Sequence, residues 1–179
     1  MAAKKQVFAS AALPIDAPGR RRLPILLRHA WYSLNQTFRR RLAHSGLTPD
    51  QFTALRTLSE QEPGGLTQSD LTRLMASDPN TVGALVERME DCGWIARAPH
   101  ESDGRANRLR LLTAGRKEYR RARKIAVALQ AEVLAEWSEK KREEFLENLA
   151  WLSERCRALA DAPDKKPRRR GRRSVKRGD

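Results

Sequence analysis

The segment between Ser77 and Gly93 carries helix signals at both of its ends. Ser77-Asp78-Pro79-Asn80 offers a side-chain oxygen that can cap free backbone N–H groups, and its proline suits the first helical position. Gly93 suits the left-handed turn that commonly follows a helix. Between these ends apolar residues recur at i, i+3, i+4 and i+7, so one face must be buried. They are Val82, Leu85, Val86 and Met89.

The opposite face of this helix is small and polar over its first turn and a half. It presents Asn80, Thr81, Gly83, Ala84, Glu87 and Arg88. A helix needs such residues near its N-terminus if that end is to enter a major groove and touch base edges. The pattern therefore indicates a DNA-reading helix.

A second helix precedes this one, and a basic hairpin follows it. The preceding helix begins with the capping sequence Thr67-Gln68-Ser69-Asp70 and turns Leu71, Leu74 and Met75 inward. Residues 94–97 are β-prone, residues 99–104 are turn-like, and residues 107–112 alternate arginine with leucine, as a half-buried strand does. Residues 67–113 therefore predict two helices and a two-stranded β wing, which is a winged helix-turn-helix.

Long amphipathic helices flank this module. Residues 24–45 place apolar side chains three or four apart, and a capping box at Thr48, with Pro49 at the first position, starts a shorter helix. Residues 114–161 return to the helical period, with Ser138 as a new N-cap. These ends carry more apolar surface than a small DNA-reading module can cover, so we expect them to form a dimer interface.

The predicted fold is mainly α: a winged helix-turn-helix with a two-stranded β wing and long N- and C-terminal dimerisation helices. Residues 1–22 are expected to be a flexible basic arm, 23–162 the folded domain and 163–179 a disordered basic tail. Within the folded domain, residues 24–45 and 114–161 are the dimerisation helices and residues 48–113 the winged helix-turn-helix.

The net charge of +14 favours a polyanionic partner. Residues 165–179 hold nine Lys or Arg and one Asp, a net charge of +8, so the other 164 residues carry +6. Nucleic acid is favoured over a membrane, because no basic amphipathic helix rich in exposed Trp and Phe is present. No stretch approaches membrane-spanning length, so we expect a soluble protein.

Cysteine and histidine usage gives no sign of a disulfide framework, a metal site or a cofactor. Cys92 and Cys156 lie on separate predicted helices without Cys-x-x-Cys spacing, which fits the reducing cytoplasm. His29, His44 and His100 show no metal-ligand spacing. No Gly-x-Ser-x-Gly, phosphate loop or carboxylate pair stands out, so we predict that the protein is not an enzyme.

Several short motifs, taken in order, resemble the MarR family of bacterial transcription regulators over about residues 26–159. They are Leu66-Thr67-Gln68-Ser69-Asp70-Leu71, Asp78-Pro79-Asn80-Thr81-Val82, Leu85-Val86-Glu87-Arg88-Met89-Glu90, Gly93, Arg97, Asp103-Gly104-Arg105 and Leu112-Thr113. The resemblance implies a homodimer that binds a pseudo-palindromic operator in double-stranded DNA. It also implies repression relieved by a small aromatic or phenolic ligand.

The resemblance also assigns site residues. The recognition-helix contacts are Pro79, Asn80, Thr81, Ala84 and Arg88; the wing contacts are Asp103, Arg105 and Arg108; and the first helix of the motif contributes Thr67, Gln68 and Ser69. Asp103 can hold the hairpin turn and steady Arg105, which then enters a minor groove. Trp31, Phe38 and His44 are candidates for the effector pocket, since the first helix borders the ligand cavity in this family.

Two alternatives belong to other functional classes. A largely nonspecific, architectural DNA-binding protein would use its basic tail as the active part and bind operator and random DNA alike. An enzyme acting on an aromatic substrate in the dimer cavity would show turnover. The regulator remains the favoured hypothesis.

Overall fold

The computed structural model describes Ala17, residues 22–99 and residues 107–162. The helices in these ranges are α1 (Leu23–Leu42), α2 (Pro49–Glu60), α3 (Gln68–Leu74), α4 (Pro79–Asp91), α5 (Thr113–Val133) and α6 (Glu139–Ala160), and a 3-10 turn covers Ala43–Ser45. The strands are β1 (Leu66–Thr67), β2 (Ile95–Pro99) and β3 (Asn107–Leu111). Two compact units divide the chain between Glu132 and Val133.

The capping box predicted for the start of α2 is formed, and the segment predicted as one helix over residues 24–45 is α1 followed by the 3-10 turn. After the 3-10 turn, Gly46 has a φ of 70°, in the left-handed region where glycine is favoured. Thr48 and Gln51 form the reciprocal capping box of α2: the Gln51 N–H donates to Thr48 Oγ1 at 3.2 Å, and the Thr48 N–H donates to Gln51 Oε1 at 2.9 Å. Pro49 follows at the first helical position.

The core of the first unit is built mainly by α2, α3, α4 and the sheet, with Leu42 from α1 and Ala122 from α5. The buried cluster consists of Leu42, Leu47, Phe52, Ala54, Leu55, Leu58, Leu66, Leu71, Val82, Leu85, Val86, Met89, Ile95, Leu109, Leu111 and Ala122. The inward placement predicted for Leu74 is wrong, since this residue is 41% exposed. Leu71 and Met75, four residues apart, face the core, and Leu74 lies at the edge of their stripe.

The sheet has three strands in the order β1-β3-β2, all antiparallel. Ile95 pairs with Leu111 in the β2–β3 hairpin, and Leu66 pairs with Leu109 between β1 and β3. The predicted two-stranded wing thus lacks β1, because a strand of two residues carries no periodic pattern of its own. The rest of the predicted fold class, a mainly α winged helix-turn-helix, is confirmed.

The start of α5 packs directly on the backbone that enters the wing. The Leu112 N–H donates to the Trp94 carbonyl oxygen at 2.9 Å. A Cβ added at Gly115 would lie closer than 3.0 Å to that oxygen and 3.0 Å from the Trp94 carbonyl carbon. Only a glycine therefore allows α5 this approach.

The second unit is dominated by α6. The Arg142 guanidinium donates to the carbonyl oxygens of Leu134 (2.9 Å) and Ala135 (3.1 Å), which holds the turn before the helix. Trp137 and Phe145 make an edge-to-face contact with ring centroids 4.9 Å apart.

Large apolar side chains on α1 and α6 are exposed. On α1 these are Leu23, Ile25, Leu26, Leu27, Trp31, Tyr32 and Leu34; on α6 they are Phe145, Leu146, Leu149, Trp151 and Leu159. Trp31 is 64% exposed and Trp151 is 68% exposed. Such large side chains are rarely left in water in groups, so each helix presents an uncovered apolar face.

The described residues contain neither a membrane-spanning helix nor a cluster of metal ligands. None of the helices in residues 22–99 and 107–162 has the length and hydropathy to cross a membrane. Across the same residues, no group of three or more His, Cys, Asp or Glu side chains is placed to hold a metal ion.

Candidate nucleic-acid interface

The first turn of α4 is fixed by its capping residue. Asp78 Oδ1 accepts a hydrogen bond from the Thr81 N–H at 2.9 Å, and Pro79 occupies the first turn. Hydrogen bonds with the Thr81 side chain and with its N–H hold the pKa of the Asp78 carboxyl below its usual value. Capping therefore sets the direction in which the N-terminus of α4 points, and Thr81 takes part in it.

The two faces of α4 are separated as the sequence predicts. Val82, Leu85, Val86 and Met89 are buried at 0–2% exposure. All five predicted recognition-helix residues are exposed: Pro79, Asn80, Thr81, Ala84 and Arg88. Gly83 and Ala84 have no large side chains, so nothing protrudes from the middle of this face and another surface can approach the helix backbone closely.

The first helix of the motif supports α4 and exposes little of its own start. Thr67 Oγ1 accepts from the Asp70 N–H at 3.1 Å and donates to Asp70 Oδ2 at 2.7 Å, so this hydroxyl caps α3. Gln68 is half-buried against α4, where its Nε2 would lie 3.4 Å from a Cβ added at Gly83. Of the three residues predicted here as DNA contacts, Ser69 alone is exposed.

Asp70 has a second partner, Arg73, whose Nη2 lies 3.1 Å from Asp70 Oδ1. The hydrogen bond from Thr67, followed by that from Arg73, lowers the pKa of the Asp70 carboxyl. An ionised Asp70 therefore stabilises the start of α3, where the helix dipole also favours negative charge.

β3 alternates as predicted: Leu109 and Leu111 are buried, and Arg108 and Arg110 are half-buried. The arginine face of β3 is partly covered by the loop before β1. Arg108 Nη1 donates to the Gly64 carbonyl oxygen at 2.8 Å, and the Nε atoms of Arg108 and Arg110 are buried. The glycine loop before β1 packs on this face, since a Cβ at Gly65 would meet Arg110 Cγ at 3.0 Å.

The tip of the wing, with Asp103, Gly104 and Arg105, lies outside the described residues. At the base of the wing, Arg97 Nε on β2 lies 3.3 Å from Glu90 Oε2 on α4. This ion pair joins the wing to α4, so it helps to fix the position of the wing relative to that helix.

A cavity of about 300 Å³ opens between α2 and α5. It is lined by Phe52, Arg56, Glu60, Tyr119, Arg123, Ala126, Val127 and Gln130. The rings of Phe52 and Tyr119 lie 5.9 Å apart at 31° and form an aromatic wall. Arg56 Nε lies 2.8 Å from Glu60 Oε1, and this hydrogen bond raises the pKa of the Arg56 guanidinium.

The three residues predicted for the effector pocket do not line this cavity. Trp31 and His44 are exposed, and Phe38 packs edge-on against Phe52 with ring centroids 5.0 Å apart. Sequence analysis missed Arg56 and Arg123. The signal was an arginine beside an apolar stripe on each of two helices, but which stripes face each other depends on tertiary packing.

The loop that follows α2 is tied to the start of α5. Arg116 Nε donates to Glu62 Oε1 at 2.7 Å. Together with the bond from Arg108 to Gly64, this fixes the loop between α2 and β1 at two points along its length.

Comparison with known proteins agrees with this architecture. A sequence model of the MarR family matches residues 45–106. The HTH-type transcriptional repressor Rv2887 of Mycobacterium tuberculosis is 35% identical over 104 residues, which are 58% of this chain and 73% of that protein.

Solved structures give the same result. The M. tuberculosis MarR family protein Rv2887 in complex with salicylic acid has a TM-score of 0.61 and 30% identity, covering 74% of this chain and 97% of its own. A probable transcriptional regulator from Pseudomonas aeruginosa has a TM-score of 0.61 and 33% identity, covering 73% and 96%. The order of helices and wing, the separated faces of α4 and these similarities together show that the chain belongs to the MarR family of winged helix-turn-helix transcriptional regulators.

Proposed function

We propose that this protein is a homodimeric transcriptional repressor that leaves its operator when a small aromatic anion binds. The observation that carries the proposal is the exposed, small and polar face of α4, set beside a fully buried apolar stripe. A helix held this firmly by its core face can present its other face to DNA without rearranging.

On DNA, the N-terminal half of α4 enters the major groove. Asn80, Thr81 and Ala84 face base edges, and Arg88 reaches a base or a phosphate. The wing tip places Arg105, steadied by Asp103, in the adjacent minor groove, where the negative potential is strongest in A·T-rich sequence. Arg108 contributes through phosphate or through its bond to Gly64, which positions β3.

A second copy of the chain covers the apolar faces of α1 and α6. Trp31 and Trp151 are among the most exposed large apolar side chains, and a symmetric partner would bury both faces. A two-fold dimer then presents two copies of α4 to half-sites about one helical turn apart, or about 34 Å. The operator is accordingly a pseudo-palindrome.

The cavity between α2 and α5 is the effector site in this proposal. Its aromatic wall suits a benzene ring, and its net positive charge, from Arg56 and Arg123 against Glu60, suits a carboxylate. The relative Rv2887 has been solved with salicylic acid, which is a ligand of that chemistry. Binding there releases the operator by changing the orientation of the α4 helices in the dimer. In this proposal the protein acts in the bacterial cytoplasm and catalyses no reaction.

The operator is first identified by sequencing the DNA that the dimer retains from a random pool. Fluorescence anisotropy then measures affinity for that DNA at moderate salt. Arg105→Ala is expected to weaken operator binding by about 1–3 kcal/mol, or roughly five- to 150-fold, without unfolding the dimer. Lys140→Ala, which removes the same charge from α6, is the matched control and leaves the affinity within about twofold.

Unchanged affinity in Arg105→Ala would overturn the wing assignment. Adding salicylate to the operator complex is expected to lower the anisotropy of labelled DNA, and a complex indifferent to every aromatic acid tried would overturn the effector part of the proposal. The architectural alternative, based on the net charge of +8 in residues 165–179, predicts equal affinity for operator and random DNA in a competition titration.

A further inference from the structure

We propose that Glu60 sets the charge of the ligand accepted by the cavity between α2 and α5, restricting it to aromatic monoanions. This inference rests on the proposed effector site and adds a selection rule to it. It follows from how three charged side chains share one cavity.

Glu60 pairs with one of the two arginines that line the cavity. It lies one helical turn after Arg56 on α2, and its Oε1 is 2.8 Å from Arg56 Nε. Both side chains line the cavity. Glu60 therefore stands beside Arg56 as a built-in carboxylate, and the charge of Arg56 is already balanced by the protein.

Arg123 supplies the charge that is left over. It reaches the same cavity from α5, and within the described part of the chain it makes no ion pair. The remaining lining residues are uncharged: Phe52, Tyr119, Ala126, Val127 and Gln130. Two arginines and one glutamate leave a single net positive charge, which one carboxylate neutralises.

A ligand with two carboxylates carries one more negative charge than the cavity can neutralise. Its first carboxylate pairs with Arg123, and its second lies in the same small volume as Glu60, with which it competes for Arg56. Like charges at such distances repel, and the repulsion adds to the cost of removing the second carboxylate from water. Selection against a ligand by an unfavourable contact of this kind is a common source of specificity.

The pair of Arg56 and Glu60 is also easily rearranged. The two side chains are 60% and 55% exposed, and ion pairs in that environment contribute little to stability. Replacing the Glu60 carboxylate by its amide should therefore change the charge of the cavity from +1 to +2 while leaving the fold intact.

The test compares three probes of similar size on the full-length dimer by isothermal titration calorimetry at pH 8 and low salt. Benzoate is the monoanion, phthalate the dianion and benzamide the neutral reference. In the unmodified protein, benzoate is expected to bind about tenfold more tightly than phthalate. Glu60→Gln is expected to raise the affinity for phthalate about tenfold, to raise that for benzoate by less, and to leave benzamide unchanged.

Two further variants complete the experiment. Arg123→Gln is expected to weaken benzoate about tenfold and to leave benzamide unchanged. Asp91→Asn, which removes a carboxylate from the end of α4 outside the cavity lining, is the control and leaves all three affinities unchanged.

The outcomes separate the two levels of the proposal. If benzoate binds but the ratio of benzoate to phthalate is the same in Glu60→Gln as in the unmodified protein, the selection rule is wrong and the effector site stands. If neither benzoate nor benzamide binds, the effector site is wrong and the selection rule with it. A ratio that shifts equally in Asp91→Asn would assign the effect to overall charge and overturn the role of Glu60.

Discussion

Gly115 gives the sharpest prediction about stability, because two effects of opposite sign act on its replacement by alanine. In the interior of a helix, alanine is favoured over glycine by about 0.5–1 kcal/mol, since glycine loses more backbone freedom on folding. At Gly115 the added methyl group would overlap the carbonyl group of Trp94, which is backbone and cannot rotate away.

The overlap is expected to dominate. Forcing an extra carbon into a packed site costs about 1–3 kcal/mol, and moving α5 away from Trp94 weakens the 2.9 Å hydrogen bond from Leu112 by a further amount of about 1 kcal/mol. After the helical gain is subtracted, Gly115→Ala should destabilise the protein by about 1–3 kcal/mol. At about 2–4 °C per kcal/mol for a chain of this size, the melting temperature falls by roughly 2–12 °C.

Gly83 in α4 is the matched control. A Cβ there meets only Gln68 Nε2, at 3.4 Å, and this is the end of a flexible side chain. Gly83→Ala should therefore keep the helical gain and raise stability by about 0.5 kcal/mol. Urea unfolding followed by circular dichroism, at one fixed protein concentration because dimers gain stability with concentration, measures both variants. A Gly115→Ala protein as stable as Gly83→Ala would refute the close packing of α5 on Trp94.

Two other predictions concern α3. Because the pKa of Asp70 is lowered by folding, its carboxyl is protonated at a higher pH in the unfolded chain than in the folded one. The stabilisation by Thr67 and Arg73 is therefore present at neutral pH and lost as the pH falls below about 4. Asp70→Asn should thus lower the urea midpoint at pH 7 and lower it by less as the pH falls below about 4, and an equal loss throughout that range would contradict the assignment. Leu71→Ala should cost about 2–5 kcal/mol and Leu74→Ala less than about 1 kcal/mol, because the first side chain is buried and the second is 41% exposed; equal unfolding midpoints would contradict this difference.

Local signals predicted the helices well. The capping box at Thr48 and the cap at Asp78 depend on residues three positions apart, and the structure forms both. The buried face of α4 was equally readable, because a helical period needs no knowledge of what covers it.

The features that sequence analysis missed are set by distant parts of the chain. The pairing of Leu66 with Leu109 makes β1 a strand, and these residues are far apart in sequence. The cavity needs α2 and α5 to face each other, so Arg56 and Arg123 share it only after folding. Trp31, Phe38 and His44 do not line this cavity, and their place in an effector pocket stays a prediction.

The division of α4 into two faces has a consequence for how such a protein can evolve. The residues that hold the helix, such as Val86, and those that meet DNA in our proposal, such as Asn80 and Arg88, form separate sets. A mutation on the outer face can thus retune which promoter is bound while folding is untouched, and a duplicated copy of the gene could acquire a new set of target genes one exposed residue at a time.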